Sequence, residues 1–184
     1  MFRSVFVKRS FLLALGLLMF TGLSAQRVAV KSNALYWATM SPNLGLEFRL
    51  SRHFTLNVEA AANPFKISDK FKTRFFGVTP EVRYWFEARP HAHHFIGAMG
   101  LGSTYSLALK NNIHNGDAWG AGLTYGYSFV LNTRWSLETT IGAGLLKVNE
   151  KKYKSWEPEP KQANRDKFMF APMKLGVTFV YLIK

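Results

Sequence analysis

The sequence contains no cysteine, which removes a disulfide framework, a thiolate metal site and a lipid-anchored cysteine from consideration. Acidic residues are scarce, 11 against 24 lysines and arginines, so the chain is strongly basic. Beyond the N-terminal segment no apolar run reaches the ~18 residues of a membrane-spanning helix. There is no internal repeat beyond a hairpin rhythm and no low-complexity linker. At 184 residues the chain reads as one domain.

The start is organised differently. "MFRSVFVKRSFLLALGLLMFTGLSAQ" has a positive region (Arg3, Lys8, Arg9), an apolar region from Phe11 to Phe20, and the small pair Ser24-Ala25 before Gln26. These are the three parts of a secretory signal, and the apolar part is too short to span a bilayer as a helix. Residues 1–25 are therefore expected to be cleaved, leaving 26–184 as the mature domain. Export also argues against nucleic acid as the partner of the basic charge, and no nucleic-acid-binding motif is present.

The remainder alternates between strand-like segments and turn signals. Eight strands are expected: Val28–Ala38, Asn43–Leu50, Phe54–Ala62, Phe75–Phe86, His94–Ser106, Ala118–Leu131, Arg134–Val148 and Phe168–Ile183. The connectors "SRH" (51–53), "EARPHAH" (87–93) and "NT" (132–133) are short. Those at 63–74, 107–117 and 149–167 are long and polar, and "TMSP" (39–42) is the short exception on their side. Short turns at one end and long loops at the other suit an outer-membrane barrel with both termini in the periplasm.

Side chains along a strand alternate between faces. One set is bulky: Leu44, Leu46 and Phe48; Phe54, Leu56 and Val58; Phe76, Val78 and Val82; Phe95, Met99, Leu101 and Tyr105; Trp119, Leu123 and Tyr125; Leu137 and Ile141; Met173, Leu175, Val177 and Phe179. The other set is small or charged: Gly100, Gly102, Thr104, Ser106, Gly120, Gly122, Gly126, Gly142, Gly144, Gly176 and Thr178, with nearly all the charges. The bore of an eight-stranded barrel is only just wide enough for side chains to fill it. Dozens of large apolar groups cannot converge there, so the bulky face is expected to look outward into lipid. Interface aromatics are expected at Phe54, Phe86, Phe95, Trp135 and Tyr181 near the periplasmic ends, and at Tyr36, Tyr105, Trp119 and Tyr125 toward the outer ends. Inside, Glu47, Glu59, Glu81 and Glu138 face Lys31, Arg49, Arg83, Arg134 and Lys174, and buried ions persist only when paired. An ion-pair lattice plugging the bore is the expected result, rather than a conducting pore.

The basic loops 63–74 and 149–167 would meet membrane lipid and lipopolysaccharide phosphates at the outer rim, with Lys147 snorkelling toward them. His114 and Asp117 near Ser106 offer the one arrangement suggestive of catalysis, but "HNGD" is equally a reverse turn. "HAHH" (91–94) with His53 lacks a carboxylate partner and reads as unliganded turn histidines. The sequence therefore calls for no catalytic residue, metal or cofactor.

The blocks "KSNALYWATMSPNLGLEF", "NPFKISDKF", "PEVRYWF", "GYSFVLNTRWSLETTIGAG" and "APMKLGVTFVYLI" resemble a family of small outer-membrane barrels from gut-type Gram-negative bacteria, catalogued as a domain of unknown function. The resemblance covers essentially the whole mature chain. It implies an all-β, eight-stranded antiparallel up-and-down transmembrane barrel in the outer membrane, and carries no catalytic residues with it. Some members of the family it resembles look to be encoded beside fimbrial-assembly genes, which implies an accessory role in surface structures as an alternative to a structural or surface-interaction role. A soluble periplasmic barrel binding an apolar ligand is the other alternative. The chain departs from the usual outer-membrane ending by finishing on Ile183-Lys184 instead of an aromatic.

Overall fold

The computed structural model describes residues 28–63, 66–68, 71–88, 90–109, 112–154, 160, 163 and 165–183. The expected signal sequence, Lys184 and the centre of the 149–167 connector lie outside the described residues. Nine strands and one short helix follow one another: β1 Val28–Asn33, α1 Ala34–Ala38, β2 Asn43–Arg49, β3 Phe54–Asn63, β4 Lys66–Ser68, β5 Phe71–Trp85, β6 His93–Leu109, β7 Asn112–Val130, β8 Trp135–Lys154 and β9 Arg165–Ile183. Every pairing is antiparallel. β1 pairs with both β2 and β9, and β3 pairs with β5, so eight strands close a ring that leaves out only the short β4, a partner of β5.

Alternation sorts the side chains as volume requires. Outside the ring stand Leu44, Leu46, Phe54, Phe76, Val82, Trp119, Leu123, Ile141, Leu145, Leu175 and Phe179, all large and all exposed. Inside lie Lys31, Glu47, Thr55, Asn57, Glu81, Arg83, Ser128, Glu138, Thr140, Lys174 and Thr178, all buried. The arrangement reverses the usual preference of large apolar side chains for the interior and of charged ones for the surface.

The structure corrects the expected strands in four places. Residues 34–38 are helical rather than a continuation of β1, because the Asn33 side chain accepts the Leu35 N–H at 3.0 Å and caps a helix there. The described residues of the connectors expected at 63–74, 107–117 and 149–167 are mostly strand: β4 and the start of β5 lie in the first, and β6, β7, β8 and β9, which reach into the other two, run 17, 19, 20 and 19 residues. That is about twice the 9–11 residues of a tilted membrane-crossing strand, so one side of the ring is a tall wall. β1 and β2, with 6 and 7 residues, form the low side.

The third correction concerns β6, whose phase is opposite to the expected one. Phe95 and Met99 are buried in the bore, Leu101 and Tyr105 share their parity, and Ile96 and the Gly102 edge face out. Glycine on the neighbouring strand β7 makes room for this bulk, since a side chain at Gly126, the partner of Phe95 in the register, would collide with the Phe95 ring. The fourth is a bulge in β9, where Gly142 pairs with Lys174 but Ala143 with Pro172. The extra residue shifts the alternation: Met173 turns inward against Gly122 and Gly144, while Phe170 and Pro172 face out.

Candidate functional site: the ionised bore

Three cations and four carboxylates meet in the lower half of the ring. Lys31 on β1 reaches Glu47 of β2 at 2.6 Å and Glu138 of β8 at 2.7 Å. Arg83 on β5 is the hub. Its Nη1 lies 3.0 Å from both Glu47 and Glu138, and its Nη2 lies 2.8 Å from Glu81 and 3.7 Å from Glu59 of β3. Lys174 on β9 bridges Glu59 and Glu81, each at 2.9 Å. Six strands are thereby tied across the bore by side chains alone.

Neutral donors complete the set. Thr55 and Thr124 give their hydroxyls to Glu47 and Glu81, Thr140 donates to Glu138 at 3.1 Å, and the Asn57 amide donates to Glu59 and Glu81. The indole N–H of Trp85 donates to Thr55 at 3.0 Å. The Phe95 ring underlies the guanidinium, with Arg83 Cζ 4.4 Å from its centroid. Charge-assisted bonds of this density are what let ions survive so far from water.

Two cations expected in the lattice are absent from it. Arg134 is exposed at the β7–β8 turn, with Nη1 3.4 Å from the Tyr181 hydroxyl. Arg49, at the end of β2, turns its Nε to the Ser51 carbonyl at 3.1 Å. Both have inward parity but sit at the rim, past the level of the glutamates. With them gone, the lattice holds one more carboxylate than cations.

The aromatics divide similarly. Phe54, Phe86, Trp119, Tyr125 and Trp135 are exposed on the outside of the ring, and the Tyr181 ring packs against Trp135, 4.9 Å between centroids and tilted by 55°. Phe95 is fully buried in the bore, Tyr105 takes inward parity on β6, and Tyr36 hangs from α1 over the bore with its ring 6.4 Å from Phe75. The aromatic that α1 exposes is Trp37.

The turn between β5 and β6 closes the lower end. Pro90, His91 and Ala92 are buried, and the His91 carbonyl accepts the Ser128 hydroxyl at 2.9 Å. The turn holds His91 and His93 in the left-handed region, at φ 67° and 63°. The His91 imidazole packs on Trp85, 5.5 Å between centroids, and neither ring nitrogen has a hydrogen-bond partner among the described residues. Burial holds its pKa below the ordinary 6.5, outweighing the pull of Glu47, 3.8 Å away; Lys31 and Arg83 act with burial, and Glu138 against it. A histidine that is neutral when folded contributes stability that is fully present above the unfolded pKa and is lost as pH falls through it. The unfolding midpoint of the protein is therefore expected to drop between about pH 8 and about pH 5. His91→Asn, which tolerates the left-handed backbone, is expected to flatten that drop; an unchanged profile in the variant would assign it elsewhere.

The other histidines go separate ways. His94 stacks on Tyr125 outside the ring and His53 on Tyr84, while His93 lies 3.4 Å from Glu87. His114 pairs with Glu150 across β7 and β8, whereas Ser106 donates its hydroxyl to Asn115, the next residue along β7 and of opposite parity. Ser106 and His114 therefore do not converge.

Above the lattice the bore widens into a chamber of about 200 Å³, lined by Tyr36, Glu59, Phe75, Thr79, Ser103 and Met173 among others. A wider concavity of about 710 Å³ lies among the tall strands and shares Phe75 with the chamber.

These features define an all-β protein whose antiparallel strands form a ring of eight, apolar on its outer face and ionised within. The chain belongs to a family described as a protein of unknown function, DUF3575, which matches residues 11–183. No curated protein and no solved structure shows significant similarity to it.

Proposed function

We propose that the ring is an eight-stranded, up-and-down transmembrane β-barrel of a Gram-negative outer membrane, delivered there by an N-terminal signal. Its bore is plugged by the Lys31–Glu47–Arg83–Glu138–Lys174 lattice, and it serves a structural or surface-interaction role in the envelope. One observation carries this reading: the large apolar side chains stand exposed outside the ring while the buried side chains within it are mostly ionised or hydroxylated. Exposed apolar area of that extent is stable only against lipid or another apolar surface. The exposed Trp119 and the Trp135–Tyr181 pair supply rings for the two membrane interfaces.

The tall strands support the surface role, because they run far beyond any bilayer thickness. Arg74, Lys151, Lys154, Arg165 and Lys167, basic residues of 63–74 and 149–167, sit at that end; Lys147, 5.9 Å from the Trp119 ring centroid and 3.3 Å from Asp166, marks the boundary. Lipopolysaccharide phosphates are the partner that charge favours. A soluble barrel carrying an apolar ligand would need its greasy face inward, which the distribution of residues disfavours.

The test is fractionation with gel mobility. The protein is expected in the detergent-extracted envelope, migrating faster unheated than boiled, since a closed barrel resists cold detergent. Recovery from the soluble periplasmic fraction would overturn the proposal.

A further inference from the structure

The chamber above the lattice has a chemistry of its own. Every hydrogen bond that Glu59 receives from the described residues arrives at Oε1, from Asn57 at 2.7 Å and Lys174 at 2.9 Å, with Arg83 at 3.7 Å from the same atom. Oε2 is the oxygen those contacts leave open. Glu59 is also the lattice carboxylate that reaches the chamber, at 16% exposure against 0–1% for Glu47, Glu81 and Glu138. The Tyr36 and Phe75 rings, 6.4 Å apart and inclined by 33°, wall the space together with the Met173 thioether. Burial, and after it the nearby Glu59 charge, push the Tyr36 phenol's pKa upward.

We propose that this chamber is a binding site for a small organic cation, an ammonium ion with a short apolar body. The lattice below holds four carboxylates against Lys31, Arg83 and Lys174, so one further positive charge completes it. Aromatic faces and a thioether suit the alkyl part, and a carboxylate suits the charge; ammonium ligands are recognised elsewhere by this combination. A bare metal ion would find a single carboxylate there, the other side-chain oxygens of the lining being the neutral groups of Tyr36, Asn43, Thr79 and Ser103, whereas an alkylammonium also uses the aromatic and thioether surfaces. A volume of about 200 Å³ restricts the occupant to a compact molecule. Phe75, shared with the outer concavity, stands between the two spaces.

The inference goes beyond a plugged barrel, and it stands or fails separately, because the test uses folded protein verified by its gel mobility. Tetramethylammonium is the probe and tert-butanol its neutral counterpart of similar shape, with binding followed by ligand-observed NMR and calorimetry on the full chain in detergent. Saturable binding of tetramethylammonium but not of tert-butanol is expected. Glu59→Gln is expected to weaken it by at least about tenfold, the loss of one charge-assisted contact. Should Glu59→Gln fail to fold, Ala61→Phe answers instead: it fills the chamber without touching the ion pairs and is expected to abolish binding. Equal binding of the neutral probe, no saturable binding, or full binding in the folded variants would each overturn the proposal.

Discussion

Arg83→Leu is expected to remove about 3–5 kcal/mol of stability, the cost of leaving buried charges without their partner. Arg83 contacts all four lattice glutamates and is itself fully buried. Without it, Glu47 and Glu138 share one cation, Lys31, while Glu59 and Glu81 share Lys174. Against a total of about 5–15 kcal/mol for a typical domain, such a loss approaches unfolding. The measurement is urea unfolding in micelles followed by tryptophan fluorescence, with Trp85, fully buried beside the lattice, as an internal reporter. A companion variant, Arg83→Leu with Glu138→Gln, removes opposite charges together and is expected to recover part of the loss, since neutralised pairs cost far less than orphaned ones. Unchanged stability of the single variant would show that the lattice fills space without holding the strands.

Leu123→Arg is expected to cost about 2–4 kcal/mol in lipid vesicles, the depth-dependent penalty for a guanidinium on a lipid-facing wall. Leu123 lies at 72% exposure on β7, between Trp119 toward one end and Phe129 toward the other. At so open a site in water the same change would stay within about 0.5 kcal/mol, because nothing packed is disturbed. The comparison therefore separates two solvents with a single substitution. Thr133→Arg, exposed in the β7–β8 turn, is the matched control and is expected to be neutral. A Leu123→Arg variant as stable as the control would place the outer wall in water and remove the bilayer from the proposal.

The lattice was legible where bulk and charge alternate cleanly. In "LGLEF" and "FTLNVEA" the large residues fall on one parity and the glutamates on the other, so Glu47 and Glu59 could be assigned to the interior from their neighbours. "HFIGAMGLGSTYS" offers no such contrast. Phe95 and Ile96 are adjacent and both large, and what fixes the phase is the pairing of Phe95 with Gly126 across β6 and β7, which periodicity does not contain. Arg49 and Arg134 show a different limit. Parity gives the direction of a side chain but not its height along the bore, and both residues sit beside turns, where the Ser51 carbonyl and Tyr181 hydroxyl compete for them. The bulge at Met173 had one local signal: Pro172 has no N–H to give a neighbouring strand, and such residues gather at irregularities. His91 had none, because its burial follows from a turn folding into the end of the ring.

The seam between β1 and β9 has a consequence for biogenesis. Val28 pairs with Ile183, so the first described strand waits for the last before either has its second neighbour. Until synthesis is complete, the chain carries two raw strand edges and a continuous greasy surface, the combination that invites aggregation in water. Closure thus depends on the most distant contact in the sequence, the slowest kind to form. On the proposed outer-membrane placement, a chain built this way calls for an escort that keeps it extended in transit and a catalyst that zips its two ends together on arrival.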